Sequence, residues 1–247
     1  MSDNSAPTYF ISDLHLGASQ PVIHEAFENF LKVTSQDARA IYILGDLVDA
    51  WIGDDDNSAF ASRLKKAIKA RVNTGTPVYF VHGNRDFLIG DRFSQETGVN
   101  LIEENSIVDL YGEKALILHG DTLCADDVAY QNFRKKVRNT AWQKKILRYP
   151  LFVRKIIAWN MRRRSSKANS NKADNIMDVC EHAVRASFKQ FQVKKMIHGH
   201  THRPARHHYD INGYTCERIV LGDWDTRGWY LKADSRCQQL VHFPINP

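Results

Sequence analysis

The chain has 247 residues, of which 43% are hydrophobic, 25% charged and 11% aromatic. That composition excludes a disordered or collagen-like chain and leaves room for one sizeable α/β domain with an inserted subdomain, but hardly for two full domains. The net charge of +6 belongs to one stretch: residues 128–173 carry 14 Lys or Arg and no Asp or Glu, so the rest, at +6 less 14, stands at −8.

Charged residues interrupt every apolar run, which argues against a membrane-spanning helix. The opening residues lack the basic-then-apolar pattern of a secretory signal. Cys124, Cys180, Cys216 and Cys237 are widely spaced with no Cys-x-x-Cys pair; they read as reduced, mostly structural thiols and not as a zinc knuckle.

In chain order, the apolar run at residues 9–12 predicts a buried strand ending on Asp13-Leu14-His15, and residues 22–33 follow with helical spacing. A second strand, 41–44, ends on Gly45-Asp46 and leads to a Lys- and Ala-rich helix over 62–72, closed near Gly75 and Pro77. The third strand, 78–81, runs into Gly83-Asn84-Arg85-Asp86, and the fourth, 115–118, into His119-Gly120-Asp121. The basic stretch then alternates aliphatic and aromatic residues with Lys and Arg at helical intervals. Pro150 is expected to divide it into two helices, a Ser-, Asn- and Lys-rich run over 165–172 to end it, and a further helix to cover 176–188. The whole reads as an inserted helical lid over about 126–190. A fifth strand, 195–197, precedes Gly199-His200-Thr201-His202, and runs at 219–221, 229–232 and 240–243 are expected to complete a second sheet. Alternating strands and helices imply a layered α/β fold, with ligand groups beyond the carboxyl ends of the strands.

Each strand-end residue taken alone reads most simply as a turn or a satisfied polar group. Five clusters at the same end of predicted strands are not so easily assembled by accident. Hard carboxylate and amide oxygens mixed with imidazole suit divalent first-row cations, and a carboxylate such as Asp46 is able to bridge two of them. Glycine beside most of these residues allows close backbone approach.

The ordered set Asp-x-His, Gly-Asp, Gly-Asn, His-Gly and Gly-His-Thr-His resembles the calcineurin-like metallophosphoesterase family. The runs FISDLHL, YILGDL, WIGDDD, HGNRDFLIG, HGDTLC and IHGHTHRP, with the basic insertion, extend the resemblance over nearly the whole chain. They resemble most closely the branch that cleaves the pyrophosphate of a UDP-linked diacylglucosamine in lipid A synthesis. The resemblance implies a β-sandwich flanked by helices, a helical lid that receives acyl chains, and two divalent cations per chain, with Mn2+ the expected metal. Asp13, His15 and His202 would hold one cation and Asn84, His119 and His200 the other, with Asp46 shared. It further implies that Asn84, Arg85, Asp127, Ser165, Asn169, Lys172 and His200 meet the substrate, with Asn84 and Arg85 serving catalysis. Water would attack the α phosphorus, releasing UMP and the acylated sugar 1-phosphate. The expected partners are the UDP-linked glycolipid and an anionic membrane surface on the cytoplasmic side of the inner membrane, reached peripherally, with no nucleic acid or obligate protein partner.

Asp86, Asp121 and His198 read either as partners that orient ligands or as ordinary strand-end polar groups. Asp54, Asp55 and Asp56 read as a solvated loop, with Asp49 a better orienting residue. Trp51, Trp142 and Trp159 either line an acyl groove or belong to the core, and at least one is expected in the core. No G-x-S-x-G elbow is present. The competing readings are a nuclease of the same superfamily, with the basic stretch tracking a phosphate backbone, and a non-catalytic scaffold, which an intact ligand set disfavours.

Overall fold

The computed structural model describes residues 6–170 and 178–245, with the side chains of 164–170 outside the description. The short apolar runs become strands whose successive side chains face opposite sides. Four run parallel: β1 (Thr8–Ile11), β2 (Ala40–Ile43), β3 (Val78–Phe80) and β4 (Asn100–Leu101). Two more, β10 (Arg227–Ala233) and β11 (Gln238–Pro244), extend the sheet antiparallel beyond β1, in the order β11-β10-β1-β2-β3-β4. The second sheet contains β5 (Ser106–Leu110), β6 (Glu113–Ile117), β7 (Lys195–His198), β8 (Ala205–Ile211) and β9 (Tyr214–Val220), in the order β5-β6-β7-β9-β8. Its centre β6-β7-β9 is parallel and its edges antiparallel.

Phe10, Leu44 and Val81 from the first sheet share one buried cluster with Ile117, Ile197 and Ile219 from the second, so the sheets lie face to face. Tyr9, Ile11 and Ile43 point the other way, onto Phe27 of α1 (Pro21–Asn29) and Leu64 and Ile68 of α2 (Ala59–Val72). Leu116 and Met196 likewise pack against Val184 and Phe188 of a C-terminal helix, Glu181–Phe191. Helices therefore cover both outer faces of a β-sandwich, as the family resemblance implies.

Several expectations need correction. The C-terminal runs do not build one second sheet: β9 joins it, but β10 and β11 pair onto β1, because antiparallel ladders let the returning chain close the open edge of the first sheet. The first helix passes at Phe30 into a wider π turn, Phe30–Thr34. A short helix, α3 (Asp91–Thr97), and strands β4, β5 and β8 were not expected; β8 is an edge strand whose sequence ARHHYDI is mostly exposed and carries no apolar run.

The basic stretch forms three helices and not two: α4 (Val128–Val137), α5 (Thr140–Leu147) and α6 (Leu151–Ser170). Pro150 separates the last two as expected. The extra break falls at Asn139, whose side chain accepts from the backbone N–H of Ala141 (3.0 Å) and Trp142 (3.1 Å) and so starts a new helix. The Ser-rich run does not end the helical segment, since α6 continues to Ser170. The next helix, α7, starts only at Glu181, behind the extended residue Cys180; the expected start at Ile176 lies outside the described residues. None of the four cysteines forms a disulfide; three of them are buried and Cys237 is exposed. Among the described residues no helix is long and apolar enough to cross a membrane.

Candidate metal centre

Strands β1, β2 and β3 of one sheet and β6 and β7 of the other end side by side, and each delivers its polar cluster to the same rim. The resulting arrangement is two trios. Asn84 Oδ1 lies 2.9 Å from His119 Nε2 and 3.0 Å from His200 Nδ1, and the two imidazole nitrogens are 3.2 Å apart. In the second trio His15 Nε2 faces His202 Nε2 at 3.2 Å, with Asp13 Oδ1 3.4 Å from the latter. Asp46 sits between them, one oxygen 3.8 Å from His119 Nε2 and the other 3.9 Å from His15 Nδ1. All seven expected ligands are thus brought together.

Backbone conformation shows how firmly the fold imposes this arrangement. Asp13, His15, Asp46, His200 and His202 all adopt left-handed φ, between 48° and 69°. Such conformations cost roughly 1–3 kcal/mol each for non-glycine residues and persist where the surroundings dictate them. Gly83 is needed for contact, since a Cβ there would overlap Asp46.

Further contacts fix the donors. His119 Nδ1 meets the carbonyl of Leu44 at 2.8 Å; it donates there, leaving Nε2 as the inward lone pair. Asp86, fully buried, accepts from the N–H of Leu47 and of Gly83, both at 2.7 Å, tying the loop after β2 to the loop after β3. Asp121 accepts from Tyr130 Oη (2.6 Å) and Arg134 Nε (2.8 Å). His198 is buried, with Nδ1 2.8 Å from the carbonyl of Gly199 and Nε2 3.0 Å from Arg218 Nη1. All three are buried and held by hydrogen bonds within the protein.

Asp223 was not anticipated: its carboxylate lies 3.3 Å from His202 Nδ1 and orients that ring. A signal for it exists in the sequence, because Leu221-Gly222-Asp223 repeats the pattern of Leu44-Gly45-Asp46.

The charge balance favours a cation. Burial works against charging every imidazole here. Even so, His119 beside Asp46 and Asp13 is raised to about 9, and contacts with Asp13 and Asp223 raise His202 to about 10. Burial prevails at His15 and His200, each lowered to about 4. Asp13 Oδ1 is buried without a hydrogen-bond partner, and buried acceptors of that kind are rare unless something else satisfies them. A divalent ion in each trio would take the place of the protons and meet the orphaned oxygen, so the residues fit the metals that the resemblance implies. Another trio, Asp126, Cys180 and His182, is less suited: two of its members are exposed, and Cys180 Sγ already accepts from the N–H of Asp126.

Beside the centre opens a cavity of about 450 Å³, lined by Asn84, Arg85 and Asp49 together with Trp51, Phe87 and Trp142. Helices α4, α5 and α6 contribute Phe133, Ile146 and Met161 to its walls. Arg85 lies 3.6 Å from Asp49, and Asp49 also pairs with Arg162 of α6, so Asp49 orients Arg85. Trp51 is core as well as wall, its Nε1 donating to Asp54 (2.8 Å); Trp142 lines the cavity; Trp159 is 55% exposed under Arg163.

The expected solvated loop 54–56 is instead a joint. Asp54 accepts from the N–H of Gly90 and Phe93 at the start of α3 (3.0 Å each), and Asp55 pairs with the buried Arg154 of α6. Of the expected substrate contacts, Asn84, Arg85 and His200 lie at the centre. Asp127 lies at the start of α4, capping it through the N–H of Tyr130 at 3.1 Å. The side chains of Ser165 and Asn169, and all of Lys172, lie outside the described residues.

Comparison with known proteins agrees with the site. The calcineurin-like phosphoesterase family matches residues 6–204. A UDP-2,3-diacylglucosamine hydrolase of Escherichia coli O81 (strain ED1a) is 50% identical over 238 residues, which cover 96% of this chain and 99% of that one. The protein of the same name from Escherichia fergusonii is 49% identical over the same length, with the same coverage of both chains.

Proposed function

Because the chain belongs to the calcineurin-like phosphoesterase family, we propose that it hydrolyses the pyrophosphate bond of UDP-2,3-diacylglucosamine, giving UMP and 2,3-diacylglucosamine 1-phosphate. The observation that carries this reading is the junction of two ligand trios sharing Asp46 with an apolar cavity of about 450 Å³: phosphate chemistry and room for acyl chains meet at one rim. Half-identity to hydrolases of that name over 96% of the chain supports the substrate.

Asp13, His15 and His202 would hold one cation and Asn84, His119 and His200 the other, with Asp46 between; Mn2+ suits the mixed oxygen and nitrogen donors. Bound there, two divalent ions supply activation of a water and neutralisation of phosphoryl charge. The chain's own groups do the rest. Arg85, whose backbone N–H donates to Asp46 Oδ1 at 2.9 Å, presents its guanidinium to the phosphate oxygens from the cavity side. Its planar fork suits bidentate phosphate binding. Helices α4 to α6 of the insertion form a lid along the cavity, and Asp127, Ser165, Asn169 and Lys172 contribute substrate contacts. Incubation of purified protein with Mn2+ and UDP-2,3-diacylglucosamine should release UMP and the lipid 1-phosphate in equal amounts, and excess chelator should stop it; turnover unaffected by chelator would remove the metal reading.

Phe152, Ile156 and Trp159 of α6 are 66%, 56% and 55% exposed and stand among Lys and Arg, the pattern of an interfacial helix on anionic lipid. The lid would therefore rest peripherally on the cytoplasmic face of the inner membrane. Changing Lys144, Lys145, Lys155 and Arg163 to Gln is expected to weaken binding to anionic vesicles by roughly 10²–10³-fold, from about 1 kcal/mol per basic residue. Turnover of the acylated substrate should fall with it, while hydrolysis of the soluble, activated diester bis-p-nitrophenyl phosphate should persist. An equal fall in both activities with the fold intact would make the segment structural.

A further inference from the structure

Helix α4 opens the inserted segment, yet its inner stripe is spent on the loops of the candidate centre. Residues 130, 134 and 138 follow the i, i+4, i+8 spacing that puts side chains on one face. Arg138 Nη2 donates to two successive carbonyls, His82 at 3.0 Å and Gly83 at 2.9 Å, so it grips the peptide leading into Asn84. One turn earlier, Arg134 Nε donates to the buried Asp121 at 2.8 Å and its other end pairs with Glu104. Asp121 lies two residues after His119. Tyr130, a further turn back, donates to the same Asp121 carboxylate at 2.6 Å and lays its ring 5.9 Å from that of His200.

The three contacts share a direction. Each reaches Asn84, His119 or His200, or the loop that carries it, whereas none reaches Asp13, His15 or His202. Asp13 and His202 are held by other groups, Asp223 on His202 and the N–H of Trp224 on the carbonyl of Asp13 (3.0 Å), while the N–H of His200 on Asp13 Oδ2 (2.9 Å) joins the two trios.

We propose that Arg138 and Arg134 are positioning residues that brace the Asn84, His119 and His200 trio alone, making α4 part of the metal centre's scaffold as well as a wall of the cavity that it shares with α5 and α6. Partners of this kind hold a ligand in place without touching the ion, and their loss commonly lowers metal affinity by about 10- to 100-fold. Here the loss should fall on one ion of the pair.

The inference rests on the dinuclear reading, and the experiment separates the two. Chelator-stripped full-length protein is titrated with Mn2+ by calorimetry and by the paramagnetic resonance signal of free Mn2+. Wild type should bind two equivalents; one equivalent, or none, would end the dinuclear reading itself. Arg138→Met should leave one equivalent at wild-type affinity and weaken the other by about 10-fold or more, with Arg138→Lys, which keeps a donor to the carbonyls, recovering part of the loss. Arg134→Met should weaken the same equivalent. Unchanged binding of both equivalents, or equal weakening of both in a variant with wild-type circular dichroism and melting, would overturn the brace. If Arg138→Met fails to fold, Arg138→Lys and Arg138→Gln supply the same comparison.

Discussion

Replacing Asp46 by asparagine is expected to abolish turnover while leaving the chain folded. Asp46 is 2% exposed and lies between the two trios, so its charge serves both. Removing a ligand shared by two cations should cost far more than the roughly 10- to 100-fold that follows loss of an outer partner. Stability should respond little. Burial, and then the charge of Asp13, pushes the Asp46 carboxyl up to about 6, which means that the buried anion is itself unfavourable in the metal-free protein. Asparagine keeps an acceptor for the N–H of Arg85, whereas alanine would leave that donor unmet at a cost of about 1–3 kcal/mol. Activity and Mn2+ stoichiometry, measured alongside thermal melting, check the point. Near-normal turnover in Asp46→Asn would mean that the carboxylate bridges nothing.

A comparably large effect is expected from Arg85→Ala, but on different grounds. Many members of this superfamily place a histidine after the Gly-Asn pair, where it protonates a departing alkoxide; this chain has Arg85. A guanidinium stays protonated and does not serve as a general acid. A phosphate monoester, with a second pKa near about 6, leaves without such help. Arg85 thus suits a pyrophosphate and not an alkyl phosphodiester. In the structure it is free to act this way: it lines the cavity, and its guanidinium is held toward that space by Asp49 at 3.6 Å. The variant should lose on the order of 10²–10³-fold in kcat/KM for the UDP-lipid, the range seen when one charge-stabilising donor is removed, with metal occupancy near normal. Wild type should cleave DNA and simple alkyl diesters poorly. Efficient cleavage of either would promote the nuclease reading.

The residues that converge on the site were legible in the sequence because their clusters follow short apolar strands and most contain glycine, a local pattern that survives without knowledge of the tertiary fold. The two-sheet assignment was not fully legible, since nothing in Trp229 or Leu240 says whether its strand pairs with β1 or with β9; that is settled by which sheet edge remains open. The break at Asn139 was missed because the apolar spacing continues across it, and only the cap shows the stop. Asp54 and Asp55 looked like a solvated acidic run because their partners, the N-terminus of α3 and Arg154, lie 36 or more residues away. Asp223 was overlooked although its Gly-Asp pattern was visible.

Attack at the α phosphorus is tested most directly by where the oxygen of water ends. Hydrolysis of UDP-2,3-diacylglucosamine in ¹⁸O-labelled water, with Mn2+ present, should put the label into the phosphate of UMP and none into 2,3-diacylglucosamine 1-phosphate. Label in the lipid phosphate would place attack on the other phosphorus, and no release of UMP at all would contradict the function.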